Sequence, residues 1–192
     1  MMERRTVMMA AAAAATGLSL MSGCTTNQST GDTAAQKKAE INTAADASLA
    51  LLYSSTPGSR ELASKSLGIL VFPKIYAAGL GIGGEYGEGA LRVGGTSVDY
   101  YRTSSVTFGW QAGAQSKALI MMFMTQEALD KFRNSKGWTA GADASVAVMR
   151  TGAQGTIDLA SATAPVSAFA LTNAGLMAGV TVDGTKVTKL DF

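Results

Sequence analysis

The sequence predicts an α+β fold, in which N-terminal helices precede a mostly antiparallel, strongly curled (barrel- or sandwich-like) β-sheet with one short helix across it. Apolar residues recur at helical spacing soon after residue 33. From residue 67 onward, short apolar runs alternate with glycine-rich turn segments, as strands do. Glycine is abundant, at 22 residues against 3 prolines. About seven to nine strands are expected, and a sheet of that length normally curls or doubles over.

Two helices are predicted before the sheet. The first spans residues 34–53 and carries an apolar stripe made of Ile41, Ala45, Leu49 and Leu52. This stripe either covers the sheet or lies on a bilayer, and a core-facing helix is the default for a globular domain. The second helix is expected to start with Thr56 as its N-cap and Pro57 in its first position, and to end near residue 66.

The strands follow from short apolar runs between turn signals. Residues 67–72 form a buried strand that Pro73 closes, and residues 90–93 and 97–110 form two strands around a tight Gly94-Gly95 turn. Residues 118–124 are apolar on both faces and predict a central strand. Thr125 then caps a short helix over residues 126–134, with Leu129 and Phe132 facing inward.

The C-terminal third is predicted to complete the sheet. Residues 138–150 alternate weakly and end in a turn at residues 151–155. Three further strands are expected at residues 166–172, 176–182 and 186–190. The last two of them are expected to be joined by an Asp183-Gly184 turn.

The first 23 residues have the layout of a secretory signal peptide. Arg4 and Arg5 precede an apolar, alanine-rich run over residues 7–21, which ends in Ser22-Gly23-Cys24. These last residues resemble the lipobox of bacterial lipoproteins, whose cysteine receives lipid and becomes the new N-terminus. Thr25 follows the cysteine, where an aspartate would imply retention at an inner membrane, so the expected address is the outer membrane. The alternative is a plain signal peptide that leaves Cys24 as a free thiol.

The chain therefore divides into a signal peptide at residues 1–23, a polar tether at residues 24–33 and one domain at residues 34–192. Glu3, Arg4 and Arg5 leave with the signal, so the remaining chain has 14 Lys and Arg residues against 13 Asp and Glu residues. Such a balance gives no general attraction to nucleic acid, which is not expected as a partner.

Five ordered motifs resemble the SYLF domain, a module of eukaryotic membrane-trafficking and actin-associated proteins and of bacterial envelope lipoproteins. They are ILVFPKIY at residues 69–76, GLGIGGEYGEG at 79–89, FGWQAGAQ at 108–115, FMTQEAL at 123–129 and GLMAGV at 175–180. The resemblance covers residues 34–190. It implies binding of anionic lipid through an N-terminal amphipathic segment and basic residues, and it implies no enzymatic activity. Because the chain is an exported bacterial lipoprotein in this interpretation, a bacterial anionic phospholipid is the expected partner and actin is not.

Catalytic and cofactor chemistry has little support in the residues. The chain has no histidine, and Cys24 is assigned to lipidation. Gly79, Gly81 and Gly84 match a dinucleotide-binding fingerprint, but nearby Gly87 and Gly89 would break the helix that this fingerprint requires. The glycines are better explained by bends or close backbone approach in strands. Glu85 and Glu88 could converge as a carboxylate pair, although a solvated position is the simpler explanation. Neither an enzyme, nor a metal, nor a cofactor is expected.

The basic residues are the remaining candidates for a binding site. Contact with lipid phosphate is predicted for residues along both helices, the strands and the short helix, namely Lys37, Lys38, Arg60, Lys65, Lys74, Lys117, Lys131, Arg133 and Lys136. For each of them ordinary solubility is the simpler explanation. The sequence thus predicts a non-enzymatic envelope lipoprotein whose domain binds anionic phospholipid. The alternative is a structural or protein-interaction module of the outer membrane, with an unidentified envelope partner and membrane affinity supplied only by the lipid on Cys24.

Overall fold

The computed structural model of the chain describes residues 30–109, 115–150, 157, 163–172, 175–177 and 180–192. The predicted signal peptide, Cys24 and the turn predicted at residues 151–155 lie outside these ranges. The elements, in chain order, are α1 (Thr30–Ser55), α2 (Ser59–Lys65), β1 (Gly68–Val93), β2 (Thr96–Gly109), β3 (Gln115–Phe123), α3 (Gln126–Asn134), β4 (Trp138–Thr139), β5 (Val146–Val148), β6 (Val166–Thr172), β7 (Gly175–Leu176) and β8 (Lys186–Lys189).

Within the described ranges, eight strands form one sheet in the order β4-β8-β2-β1-β3-β6-β5, with β7 paired to β6. All neighbours are antiparallel except β5 and β6, which are parallel. The sheet curls into a half-barrel. This confirms the predicted α+β fold with helices first and a curled, mostly antiparallel sheet.

The curl depends on β1, which is long enough to serve two neighbours. Residues 68–77 of β1 pair with β3, and residues 81–93 pair with β2. The two halves then pack against each other at Gly87 and Gly89. A Cβ on Gly87 would lie 2.7 Å from the Lys74 carbonyl oxygen, and one on Gly89 would overlap with the Val71 carbonyl oxygen. Glycine is required here because one half of the strand passes over the backbone of the other.

Both faces of the sheet are buried, which explains why β3 is apolar throughout. One face forms an inner core, which includes Leu70, Phe72, Leu91, Tyr101, Leu119, Met121, Phe123, Phe132 and Trp138. The other face forms an outer core with α1 and α2, which includes Ala45, Leu49, Leu52, Leu62, Val71, Ile120 and Met122. Three of the four stripe residues of the first helix, Ala45, Leu49 and Leu52, therefore cover the sheet, and Ile41 is buried as well.

Several local predictions are confirmed. Gly94 and Gly95 have φ of 60° and 82° and form the turn between β1 and β2, as the mirror-image hairpin turns require. The predicted central strand lies between β1 and β6 as β3. Thr125 caps α3 by accepting a hydrogen bond from the Ala128 N–H, and β6 spans the predicted residues 166–172.

The predicted start of the second helix is wrong. The Thr56 N–H donates to the Leu52 carbonyl at 2.9 Å, so Thr56 completes the last turn of α1. The N-cap of α2 is Gly58, whose φ of 87° is readily accessible to glycine. Pro57 lies in the turn between the helices. At the other end, α1 begins at Thr30 and so includes residues 30–33, which the sequence assigned to the tether.

Two strand predictions are also wrong. Pro73 does not close its strand, because the pairing of β1 with β3 shifts register between Phe72 and Ile75. An irregularity of this kind tolerates a residue without an N–H. Among the described residues of the predicted strand 176–182, only Leu176 is strand, as part of β7. Asp183 and Gly184 do not connect a pair of neighbouring strands, since β7 pairs with β6 and β8 pairs with β2 and β4. The Gly184 N–H donates to the carbonyl of Ala140, just after β4.

Substitution of Gly89 tests the packing of the two halves of β1. Gly89→Ala is expected to lower the free energy of unfolding by about 2–3 kcal/mol, since the new methyl group overlaps with backbone that cannot easily move. Gly84→Ala on the same strand is the control, because its Cβ would meet no atom nearer than 4.0 Å. Urea unfolding followed by circular dichroism measures both. Equal stability of the two variants would contradict the proposed backbone contact.

Candidate functional site

Strand β8 brings basic residues together from distant parts of the sequence. Lys186 and Lys189 lie at its two ends, and β8 pairs with β2 on one side and β4 on the other. Arg102 of β2 donates from its Nε to the Thr188 hydroxyl at 3.0 Å. The Cε of Lys186 lies 3.6 Å from the position that a Cβ atom would take on Gly137. Lys136 is the preceding, exposed residue.

The other end of β8 lies beside Tyr101 of the inner core. Lys189 forms an ion pair with Asp99 at 2.5 Å. Burial raises the pKa of Tyr101 to about 12, the Asp99 charge adds to the rise, and the Arg133 charge opposes it. Arg133 follows Phe132, whose ring centroid lies 4.7 Å from that of Tyr101, and its own side chain is exposed.

The first turns of α1 extend this collection of positive charge. Lys37 forms an ion pair with Glu88 at 2.7 Å. Lys38 lies 5.0 Å from the ring centroid of Phe192 and 5.6 Å from that of Tyr100. These two rings contact each other edge to face, with 5.4 Å between centroids. Since Phe192 follows shortly after β8, the start of α1 and the end of β8 lie on the same side of the domain.

We call this collection the basic surface and define it as Lys37, Lys38, Arg102, Arg133, Lys136, Lys186 and Lys189. Its members lie around β8 and not on a single face of the sheet, because Lys186 and Lys189 are three positions apart on that strand. Two carboxylates accompany it: Asp99 pairs with Lys189, and Glu88 pairs with Lys37 and stands opposite Arg102 in the β1–β2 ladder. The basic charges thus outnumber the acidic charges in direct contact with them. Sequence reasoning missed Arg102, Lys186 and Lys189, because only the pairing of β8 with β2 places them near the predicted residues.

The other predicted basic residues lie outside this surface. Lys131, on α3, donates to the Asp143 carbonyl at 2.6 Å. Lys65 pairs with Glu61 one helical turn away, and the Arg60 guanidinium lies 4.5 Å from the ring centroid of Tyr53. The remaining two are on strands: Lys74 is exposed on β1, and Lys117 on β3 is only 20% exposed and pairs with Glu85 at 2.8 Å. Lipid contact by any of these residues stays a prediction.

Glu85 and Glu88 do not form a carboxylate pair. They are three positions apart on β1, so their side chains leave opposite faces of the sheet. Glu85 binds Lys117 and the Ser105 hydroxyl, whereas Glu88 binds Lys37 and the Tyr86 hydroxyl. The glycine fingerprint lies within β1, and strand follows it where a nucleotide site would need a helix. Over the described ranges, no three Asp, Glu, His or Cys side chains converge as a metal site would require.

Comparison with known families agrees with these motifs. Residues 104–191 match the family model Ysc84, described as "Las17-binding protein actin regulator". These residues are thus similar to a SYLF-domain family. The match confirms the family resemblance seen in the sequence, and no curated protein matches the chain.

The matched segment holds much of the basic surface. It includes β3, α3 and β8, and thus Arg133, Lys136, Lys186 and Lys189. Lys37, Lys38 and Arg102 precede it. None of the helices in the described part of the chain is sufficiently long and apolar to cross a membrane.

Tyr101, beneath the basic surface, gives a pH-dependent prediction. Its hydroxyl is buried and has no hydrogen-bond partner among the described residues. Because folding raises its pKa from 10.0 to about 12, the neutral phenol favours the folded state. This contribution is fully present below pH 10 and is lost as the pH rises toward 12. Tyr101→Phe should therefore lose less unfolding free energy than the parent protein over that pH interval.

At pH 7 the same variant should be within about 1 kcal/mol of the parent, because no hydrogen bond is removed. Tyr100→Phe is the matched control, since the Tyr100 hydroxyl accepts a hydrogen bond from Asn42 at 2.9 Å and its loss should cost about 1 kcal/mol. Urea unfolding at pH 7 and at several alkaline pH values measures both. The raised pKa of Tyr101 would be refuted if the unfolding free energy of Tyr101→Phe fell with alkaline pH as steeply as that of the parent protein.

Proposed function

We propose that this protein is a non-enzymatic envelope lipoprotein whose SYLF domain binds anionic phospholipid through the basic surface. The observation that carries the proposal is that seven Lys and Arg residues from α1, β2, α3, the α3–β4 connection and β8 lie around the β8 end of the sheet, with Lys37, Arg102 and Lys186 on one face of it. Each cation near an anionic bilayer contributes about 1 kcal/mol. The surface as a whole could therefore hold the domain at a membrane, although two of its charges, those of Lys37 and Lys189, are offset by Glu88 and Asp99.

The position of the predicted lipid anchor supports the same orientation. In the sequence only a short segment separates Cys24 from Thr30, where α1 begins, and at roughly 3.5 Å per residue it reaches about 20 Å at most. Lipid on Cys24 would keep the start of α1, and with it Lys37 and Lys38, close to the bilayer. Even a weak affinity of the basic surface would then gain from the high local concentration of lipid. Thr25 favours the outer membrane as the location.

Charge reversal tests the basic surface. Co-sedimentation of residues 25–192 is compared between phosphatidylglycerol or cardiolipin vesicles and phosphatidylcholine vesicles, at low and high salt. Lys136→Glu/Lys186→Glu should weaken binding to the anionic vesicles at least tenfold at low salt, since two attractions become repulsions. Lys65→Glu/Lys74→Glu is the control, with the same change of charge outside the basic surface. Melting temperatures verify that both variants are folded.

The outcomes distinguish binding through the basic surface from binding that depends only on the net charge of the domain. Equal loss in both double variants would mean that only net charge matters, and the basic surface would be rejected. Equal binding of the parent protein to anionic and neutral vesicles would reject anionic phospholipid as the ligand.

Lipidation has its own test. Globomycin should cause an unprocessed precursor to accumulate, and Cys24→Ala should move the protein from the membrane fraction to the soluble fraction after a high-salt wash. The wash removes binding that depends on the basic surface alone. A Cys24→Ala protein that stays in the washed membranes would contradict the assignment of Cys24 as the anchor.

A protein-interaction module is the second candidate function. The family description names Las17 binding and actin regulation, and the domain exposes apolar side chains on its β1–β2 hairpin. Tyr86 is 47% exposed and Val106 is 67% exposed, and the register places them on the same face of the sheet. Stable oligomers in lipid-free solution, combined with no vesicle binding, would favour this candidate.

A further inference from the structure

A groove lies at the end of α1 that is remote from the basic surface. It is bounded by α1, α2, the start of β1 and the Gly94-Gly95 turn, and its volume is about 520 Å³. This is within the range of small-molecule binding sites. Much of its lining is apolar, contributed by Leu49, Ala50, Ala63, Leu67 and Ile69. Leu67, at 41% exposure, is one of the most exposed large apolar side chains in the described part of the domain.

Two arginines reach this groove from different elements. Arg60 of α2 lies over the ring of Tyr53, at 4.5 Å from its centroid. Arg92 of β1 is largely buried, with 12% of its side chain exposed. It donates to the Asp46 carboxylate and, at 3.1 Å, to the Asn42 carbonyl. Its Nε is buried and has no hydrogen-bond partner among the described residues, so the contacts with Asp46 and Asn42 do not use all of the donors of Arg92.

The charge of the groove favours an anion. Asp46 is the only carboxylate in the lining, against Arg60 and Arg92. Its side chain is 69% exposed, so it can turn toward solvent at small cost and leave Arg92 to a ligand. Arginine suits such a ligand because its planar guanidinium can donate two parallel hydrogen bonds to one phosphate group.

We propose that the groove binds one amphiphile with an anionic phosphate head group and a single hydrocarbon chain, of the lysophospholipid class. The phosphate would contact Arg60 and Arg92, and the chain would lie along the apolar lining. A free phosphate ion would satisfy the arginines but leave that lining in water. Lys37 and Tyr53 are separated by about 24 Å along α1, at 1.5 Å per residue. The groove is therefore a site distinct from the basic surface and does not depend on it.

Titration calorimetry of the folded protein, residues 25–192, tests the ligand class. The probes are lauroyl-lysophosphatidylglycerol below its critical micelle concentration, its zwitterionic phosphatidylcholine counterpart, and inorganic phosphate. We expect saturable 1:1 binding of the anionic amphiphile, at least tenfold tighter than either of the other two. Equally tight binding of inorganic phosphate would replace the lipid site by a simple anion site. Equally tight binding of the zwitterionic lipid, or no binding of the anionic one, would also overturn the proposal.

Variants then place the ligand in the groove. Arg60→Ala should weaken binding about tenfold, and Ala50→Trp, which fills the groove from α1, should abolish it. Lys65→Ala is the matched control, because Lys65 lies on the same short helix as Arg60 but outside the lining. Asp46→Asn should strengthen binding severalfold, since it removes the carboxylate that competes for Arg92. An ion pair with a structural role alone would give no such gain.

Two results would overturn this placement: equal effects of Arg60→Ala and Lys65→Ala, or weaker binding by a folded Asp46→Asn variant. Vesicle co-sedimentation of the parent protein, compared with its titration by the monomeric amphiphile, separates the groove from the proposed function. If the parent protein binds vesicles but not the monomeric amphiphile, the groove alone is rejected. If it binds the amphiphile but no vesicle, the basic surface alone is rejected.

Discussion

The close backbone packing at Gly87 and Gly89 is the constraint on which the rest of the domain depends. It allows one 26-residue strand, β1, to fold over itself and to pair with β3 through one half and β2 through the other. Without this approach the sheet would be flatter, and its inner face would lack the enclosed core that contains Phe123, Phe132 and Trp138. A side chain at either glycine would separate the halves, because the neighbouring atoms are backbone and cannot rotate away.

The curl also decides where functional groups lie. It gives the sheet two buried faces, so the helices are divided between them: α1 and α2 cover the outer core, and α3 covers the inner one. The basic surface then forms where α1 begins and β8 ends, while the groove lined by Arg60 and Arg92 forms where α1 ends and β1 begins. A single helix thus connects the two candidate sites, one proposed for a charged bilayer surface and the other for an individual amphiphile.

The candidate sites show how far sequence reasoning extends. Lys37 and Lys38 on α1, and Arg133 and Lys136 at the end of α3, were predicted from the sequence, because each pair is local to one helix or its end. Arg102 and Thr188 are in contact although they are 86 positions apart, and no local pattern indicates this. Arg60 was predicted, but Arg92, the other arginine of the groove, was not among the predicted site residues and lies in the predicted strand 90–93. Only the packing of α1 against the sheet makes Arg92 a buried cation.

The sequence by itself determined the features that local chemistry encodes. Gly94-Gly95 specifies its turn because positive φ is easily accessible to glycine, Thr125 specifies a helix start because its hydroxyl accepts a backbone N–H, and residues 118–124 specify a strand buried on both faces. The tertiary structure decided the continuation of β1 through Pro73, the partners of β8 and the cations that share a surface. These depend on contacts between residues far apart in the chain, whose free energies are set by the packing of the whole sheet and not by any single segment.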